Sequence, residues 1–424
     1  MTNILNKIPE QYRIWTVLIC GTGLYFFANI QRVAIPGSIF NLLQQELQVS
    51  APYITAFGAS FMYIYALCQL IIGLLVDRFG GNRTIAVGAF LFCLGSVMFP
   101  FSQSLQMLYL SRIIVGLGAS SLYLSLVREI MRAFDKNFTI MLAVMILIGY
   151  AGGIVANAPF VFCVNKIGWR YTLGIAAFIS IGFYLLFLIM KSTLKMPSLQ
   201  PVKFSYKPFK TILKKRHNCN LFLFTGINFG LYYVLQTVIG KKFLEDYCGM
   251  ASDNAALILS LMGMISAVSG LSFAIISRML GNRRQIFIRI VGVTCILVFI
   301  SITALIMLEV RTAWIAALLC LLSFTASTSS IAVPLLRETN NSDSIGVAVC
   351  ILNFGCYIAV AVLGNTVGIL MNLWPPELHG QLKIYGSSSY LAVFGTMLVL
   401  STVVTWCSFR IRETMGRNLA DSTL

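Results

Sequence analysis

Hydrophobic residues run along this chain in long blocks rather than in alternation. Apolar runs bounded by polar residues, Gly or Pro fall at about 14 to 37, 52 to 76, 84 to 103, 107 to 131, 138 to 162 and 169 to 191. Six more fall at about 217 to 240, 254 to 279, 285 to 307, 312 to 336, 343 to 371 and 388 to 410. Each is near the ~20 residues a helix needs to cross a ~30 Å hydrocarbon layer. The pattern predicts an all-α integral membrane fold with twelve transmembrane helices. Residues 191–216 are polar, basic and interrupted by Pro197, Pro201 and Pro208, so they divide the runs into two groups of six. The expected organisation is a six-helix bundle over 1–190, a linker over 191–216, a second bundle over 217–410 and a tail over 411–424. The first run is too long for the core of a cleaved signal and lacks a small-residue cleavage site, so a retained helix is expected there.

Composition agrees with this and adds an orientation. Of 424 residues, 58% are hydrophobic and 11% charged, too few charges to cover a soluble protein of this size. The net charge of +17 comes from 31 Lys+Arg against 14 Asp+Glu. In a soluble chain that excess would suggest nucleic acid. With the N-terminus placed in the cytoplasm, however, 23 basic residues fall on the cytoplasmic side and six outside, namely Lys166, Arg170, Lys241, Lys242, Arg311 and Lys383. That asymmetry predicts both termini inside and removes the case for a nucleic-acid partner. The short loops suit a bacterial inner membrane. The eleven cysteines are scattered singly with no C-x-x-C or Cys/His cluster, so no disulfide framework, metal site or cofactor is expected. No catalytic cluster of His, Asp, Glu, Ser or Cys gathers at membrane depth, which argues against an enzyme.

The two halves echo each other. Asp77-Arg78-Phe79-Gly80-Gly81-Asn82-Arg83 and Ser277-Arg278-Met279-Leu280-Gly281-Asn282-Arg283 match at Arg, Gly, Asn and Arg, each following the second run of its half. Arg128-Glu129 and Arg337-Glu338 recur at the ends of the fourth and tenth runs. Two echoes in the same order indicate a duplicated architecture. The first loop carries G-x-x-x-D-R-x-G-x-x-R as Gly73, Asp77, Arg78, Gly80 and Arg83. The fourth run opens with Arg112-x-x-x-Gly116-x-Gly118, and Trp169-Arg170 opens the sixth. In these motifs the chain resembles the major facilitator superfamily over essentially its whole length. That resemblance implies two six-helix halves related by a pseudo-two-fold axis, with Gly73, Asp77, Arg78, Gly80, Arg83 and Arg278 acting in gating. Ser277 stands where the second half would carry the acid, so the lock expected there is weaker.

All 14 acids, with His217 and His379, fall in loops or near span ends, so two arginines are the charges expected within the spans: Arg32 and Arg112. Ionisable groups at that depth mark a transport path by default. Asn29 precedes Arg32 by three residues on the same helix face, and the first helix is expected to run past Pro36 toward Leu43. A guanidinium at Arg32 can grip a carboxylate or phosphate through two hydrogen bonds; it can equally snorkel outward or tie backbone carbonyls near Pro36. Arg32-Val33-Ala34-Ile35 is similar to the R-V-N-L stretch of the superfamily's organic-anion (anion/cation symporter) branch. That likeness implies Arg112 as its second arginine, assisting anion binding or proton coupling, with a helix-end position in the headgroup layer as the alternative. The branch commonly has a glutamate seven residues after that arginine; Ala119 stands here instead, which favours uniport or anion exchange over carboxylate-based proton symport.

Polar residues four apart give further candidates: Tyr65 and Gln69 in the second run, Tyr232 and Gln236 in the seventh together with Asn228, and Asn353 and Tyr357 in the eleventh. Such stripes either bind solute or join helices. The expected function is a secondary carrier, acting as a monomer, that moves a small carboxylate-bearing metabolite by alternating access. The alternative is an exporter of drugs, toxic metabolites or a secreted chelator.

Overall fold

The computed structural model describes residues 9–134, 138–194, 207–326, 328–341 and 345–419. Eleven helices among them are long and apolar enough to cross a membrane, and a bent pair supplies a twelfth. The first four spans are Glu10–Ala34, Ala51–Phe79, Gly81–Phe101 and Leu105–Ala133, and the sixth is Trp169–Lys191. The seventh runs from Arg216 to Asp246, followed by Ser252–Met279, Gln285–Met307, a tenth in two pieces (Trp314–Phe324 and Ser329–Thr339), Ile345–Met371 and Ser387–Arg410. A two-stranded hairpin, Glu377–His379 paired antiparallel with Leu382–Ile384, lies between the last two.

Proline accounts for two departures from twelve plain rods. The first helix stops at Ala34 instead of continuing through Pro36. A proline offers no N–H to the carbonyl four residues back and disfavours helical backbone in the residue before it. A tight turn at Gly37–Ile39 and a separate helix, Phe40–Leu47, follow. The fifth span is Phe138–Val155 and Ala158–Ile167, bent by 44°. Pro159, in the first turn of the second piece, leaves the Val155 carbonyl without its usual donor. Asn157 Nδ2 donates to the Gly153 carbonyl at 3.1 Å, replacing one bond lost at the bend.

The described chain forms two compact units. One holds the described residues of Met1–Ala34 and Ser60–Phe204, the other those of Ile35–Ala59 and Ser205–Leu424. In the first unit the third and fourth spans pack most closely. A Cβ at Gly118 would lie 2.3 Å from the Phe92 backbone nitrogen, and one at Gly116 would lie 2.9 Å from the Phe61 carbonyl on the second span. The two glycines of the R-x-x-x-G-x-G element thus let the fourth span touch a helix on each side. Arg170 donates to the carbonyls of Pro100 (2.6 Å) and Ser102 (2.8 Å), capping the end of the third span, while Trp169 packs on Phe99.

The starts of the third and ninth spans are closed by carboxylates. In the first unit Glu129 accepts from the Asn82 N–H at 3.1 Å and pairs with Arg132 at 3.1 Å. In the second unit Glu413 accepts from the N–H groups of Arg284 and Gln285, both at 2.8 Å, and from those of Thr414 and Met415. Glu338 pairs with Arg284 and accepts the Thr414 hydroxyl at 2.5 Å. Helix starts carry unpaired N–H groups and partial positive charge, which is where a carboxylate is most favourable.

Burial raises the pKa of Glu413, but the backbone N–H groups of Gln285, Met415, Arg284 and Thr414 outweigh it and hold the group below the ordinary glutamate range. The folded state therefore gains stability from this carboxylate above its unfolded pKa of ~4.3, and loses it as pH falls through the lower folded value. Glu413→Gln should lower the unfolding midpoint in detergent at pH 7, by the equivalent of about 1–2 kcal/mol given its partial exposure. The gap from wild type should narrow as the pH is taken down through ~4; a gap independent of pH would contradict the charged cap.

Candidate functional site

The expected residues of the first unit meet around one aromatic pair. Arg32 is half-buried near the end of the first span, and its Nη2 donates to Asn29 Oδ1. Asn29 Nδ2 donates in turn to the Tyr25 carbonyl at 2.8 Å, so the amide is oriented by its own helix. The Arg32 guanidinium lies 5.9 Å from the centre of the Tyr65 ring. Tyr65 stacks on Phe61, one turn earlier on the second span, with centroids 5.8 Å apart and planes 20° from parallel. Arg112 meets the same pair, its guanidinium 4.7 Å from the Phe61 centroid. Arg112 Nη1 also donates to the carbonyl of Gln31 at 3.1 Å.

Two arginines from two helices are therefore linked through Tyr65, Phe61 and the Gln31 peptide. They sit in different surroundings. Arg112 is fully buried, and its hydrogen bond serves one of the last four carbonyls of the first helix, which lack partners within the helix. Arg32, next along the chain from that peptide, is the more accessible. A cation over an aromatic face in a desolvated site is stabilised by ~2 kcal/mol, so this ring pair can hold guanidinium charge within apolar surroundings.

The remaining expected residues are dispersed. Gln69 is buried and donates to the Ser120 carbonyl at 3.4 Å, joining the second span to the fourth. In the second unit, Tyr232 is buried with its hydroxyl donating to the Met262 carbonyl at 3.3 Å. Gln236 is buried in a π-helical turn, Leu235–Ile239, a local widening often found at functional sites. Asn353 and Tyr357 are half-buried, and Tyr357 meets Phe229 edge to face at 5.8 Å. Of the gating candidates, Arg78, Arg83 and Arg278 are exposed, Gly73 is half-buried, and Gly80 adopts φ 83° at the start of the third span. The side chain of Asp77 lies outside the described residues.

Several polar groups expected in loops are structural. The seventh span continues through Lys241 and Lys242, two of the six basic residues assigned to outer loops. Lys242 pairs with Asp246 at 2.7 Å, both side chains being almost fully buried, and donates to the Lys383 carbonyl. Asp246 also accepts from the Tyr385 N–H and the Tyr390 hydroxyl, both at 3.0 Å. Lys241 pairs with Glu245, which accepts from Asn41 Nδ2 at 2.7 Å. The i,i+4 spacing of Lys241-Glu245 and Lys242-Asp246 is the signal in the sequence for one more helical turn. For Glu129 the signal is the Arg-Glu echo, which marks duplication but does not by itself reveal a helix cap.

Comparison with known proteins agrees with this architecture. The Major Facilitator Superfamily model matches residues 18–364, more than half of the chain. The chain belongs to the major facilitator superfamily. The curated relatives that it matches are named as transporters. Among curated relatives, a probable sulfoacetate transporter of Cupriavidus necator is 24% identical over 171 residues, 39% of this chain and 38% of that protein. Human monocarboxylate transporter 7 is 27% identical over 176 residues, 40% of this chain and 33% of the relative. The chain thus matches well under half the length of these relatives. Solved structures of this all-α fold align over nearly the full chain. A POT family transporter in complex with 5-aminolevulinic acid gives a TM-score of 0.73 at 12% identity, covering 94% of this chain and 96% of that one. A point mutant of the nucleoside transporter NupG gives 0.70 at 14% identity, covering 95% and 99%.

The two arginines of this superfamily member should respond differently to the same change. Arg112→Lys loses the planar fork at a fully buried site and should cost about 2 kcal/mol in unfolding measurements in detergent. Arg32→Lys, at the half-buried position, should cost less than about 1 kcal/mol. Equal losses would contradict the division into a buried and an accessible arginine.

Proposed function

We propose that this superfamily member carries a small organic anion by alternating access, with Arg32 as the group that recognises the anionic end. The observation that carries the reading is the half-buried Arg32 guanidinium, steadied by Asn29 and by the face of Tyr65. A guanidinium oriented in this way can offer two parallel donors to a carboxylate or sulfonate. Arg112 acts behind it, fixing the Gln31 peptide from which Arg32 projects. Two of the relatives are named for organic anions, sulfoacetate and monocarboxylates, which supports the same substrate class.

On this reading the chain is organised as two bundles, 1–190 and 217–410, joined by the linker 191–216, and works by alternating access. Gly73, Asp77, Arg78, Gly80, Arg83 and Arg278 govern closure on the cytoplasmic side. Gln69 and Tyr65 in the first unit, and Tyr232, Gln236, Asn353 and Tyr357 in the second, are the further residues assigned to solute binding, each within its own unit. The protein works as a monomer in a bacterial inner membrane with both termini cytoplasmic.

A second reading has its own observation. A cavity of about 470 Å³ in the first unit is lined almost wholly by apolar groups, including Trp15, Phe26, Phe27, Phe134, Met141 and Phe183. A lipophilic solute would suit it, and one relative is a drug efflux pump of Mycobacterium tuberculosis, 27% identical over 162 residues.

Counterflow in proteoliposomes separates the two. Wild type loaded with acetate, lactate, succinate or sulfoacetate should exchange at least one of them saturably. Arg32→Ala should reduce that exchange at least about 100-fold, corresponding to the loss of one charge-assisted pair of hydrogen bonds, while eluting as a monodisperse protein. Full exchange by the variant would remove Arg32 from the mechanism. Binding of lipophilic cations, with no response to any anion, would favour the export reading.

A further inference from the structure

The cavity of about 470 Å³ lies wholly within the first unit, between spans one, five and six and the end of span four. Its wall on the first span is one stripe, Trp15, Leu18, Ile19, Thr22, Phe26 and Phe27. With 3.6 residues per turn, that stripe points roughly 120° around the helix from Arg32, so the cavity belongs to a different face. Gly23 lies within the stripe, and a Cβ there would come 2.8 Å from the Phe183 ring, which makes the sixth span the floor. At the mouth Ile19, Val144 and Ile148 are exposed.

Length and charge say what fits. From Trp15 to Phe27 the stripe extends about 18 Å along the helix axis at 1.5 Å per residue. One leaflet supplies about half of a ~30 Å hydrocarbon layer, or ~15 Å. The cavity is therefore about as deep as one leaflet. Trp15, packed on Phe134 with centroids 4.7 Å apart, marks its outer end, and such rings favour the headgroup level. Positive charge stands at that level. Arg13, two residues before Trp15, donates from Nη1 to the Thr193 carbonyl at 2.7 Å, which holds it beside the end of the sixth span. Its Nε is buried with no hydrogen-bond partner among the described residues. Lys191 is eight residues beyond Phe183, as Trp15 is eight before Gly23, so both stand about 12 Å outward from the same contact. Neither Arg13 nor Lys191 pairs with a described acidic side chain.

We propose that this cavity holds an acyl chain of an anionic phospholipid, drawn from the leaflet at the basic end of the spans, with its phosphate between Arg13 and Lys191. Lipid tails are as apolar as the cavity wall, so the chain gains packing but no hydrophobic driving force on leaving the bilayer. Selection therefore falls to the headgroup. The Nε edge of Arg13 offers parallel donors to phosphate oxygens, and each basic residue near the membrane surface favours an anionic lipid about fivefold. A lipophilic cation would meet like charge at the same mouth, and a small carboxylate would leave the apolar wall unfilled. The site goes beyond the organic-anion reading and does not depend on it.

The test uses the full chain in phosphatidylcholine vesicles, with phosphatidylglycerol or phosphatidylcholine brominated on the acyl chains as the probe. Bromine quenches a nearby indole, and the Trp15 signal is the difference between wild type and Trp15→Phe. Brominated phosphatidylglycerol should reach half-maximal quenching of Trp15 at a mole fraction at least about tenfold below that of brominated phosphatidylcholine. Lys191→Gln should raise the phosphatidylglycerol midpoint about fivefold. Arg13→Gln should do so at least as strongly, although it also loses the Thr193 bond, which Lys191→Gln leaves in place. Val144→Phe, which narrows the mouth with an apolar group, should weaken quenching by both lipids. Equal midpoints for the two lipids would overturn the proposal, and so would a preference that survives both charge variants. Trp15 quenching that is absent, or untouched by Val144→Phe, would remove the chain from the cavity. Displacement of the brominated lipid by tetraphenylphosphonium would give the cavity to a lipophilic solute instead. None of these outcomes bears on Arg32.

Discussion

A charged group taken out of water must find its stabilisation in protein, and the first unit is arranged around that requirement at Arg112. Burying an ion costs several kcal/mol even after relaxation. The Gln31 carbonyl and the Phe61 ring face offset that cost, and each fixes a different helix: the carbonyl belongs to the first span and the ring to the second. Gly116 belongs to the same arrangement. It lets the fourth span approach Phe61 closely, and any larger side chain there would push the ring away from the guanidinium one turn earlier on that span. Three helices are thus held in register by one buried cation, and the neighbouring Arg32 inherits its position from it.

The second unit meets the same requirement differently. Lys242 and Asp246 neutralise each other in a buried pair, and Asp246 is further bonded to Tyr385 and Tyr390. Such a pair is weak as a source of net stability, but leaving either member alone would be strongly unfavourable. Its geometry therefore ties the end of the seventh span to the segment after the hairpin.

Much of the fold was legible because a bilayer imposes a length on every apolar run. The span number among the described residues, eleven helices and a bent pair, follows from that length. Ends and interruptions were harder. Pro36 and Pro159 are visible in the sequence, yet whether a proline kinks, bends or ends a helix depends on what meets the carbonyls left open near it, as Asn157 does for Gly153 at the bend before Pro159. The tenth span parts between Phe324 and Ser329 with no proline between them, and Asn228 of the seventh span donates to the Thr325 carbonyl there at 2.8 Å, so no local pattern announced it. Of the site, Arg32, Asn29 and Tyr65 were legible as rare polar groups in apolar runs. Phe61, which links the two arginines, was hidden because a phenylalanine in a membrane span carries no signal of its own.

The carboxylates that close the third and ninth spans differ in where along the chain they come from. Glu129 is 47 residues from the N–H it accepts, whereas Glu413 is 129 residues from the one at Arg284. A chain made from its N-terminus can therefore complete the first closure as soon as its fourth span emerges. The second must wait until the twelfth has been made. Through all of that interval the start of the ninth span keeps its N–H groups open, and a ribosome stalled or a chain cut between the eleventh and twelfth spans would leave a second unit that is inserted but unfinished at that end.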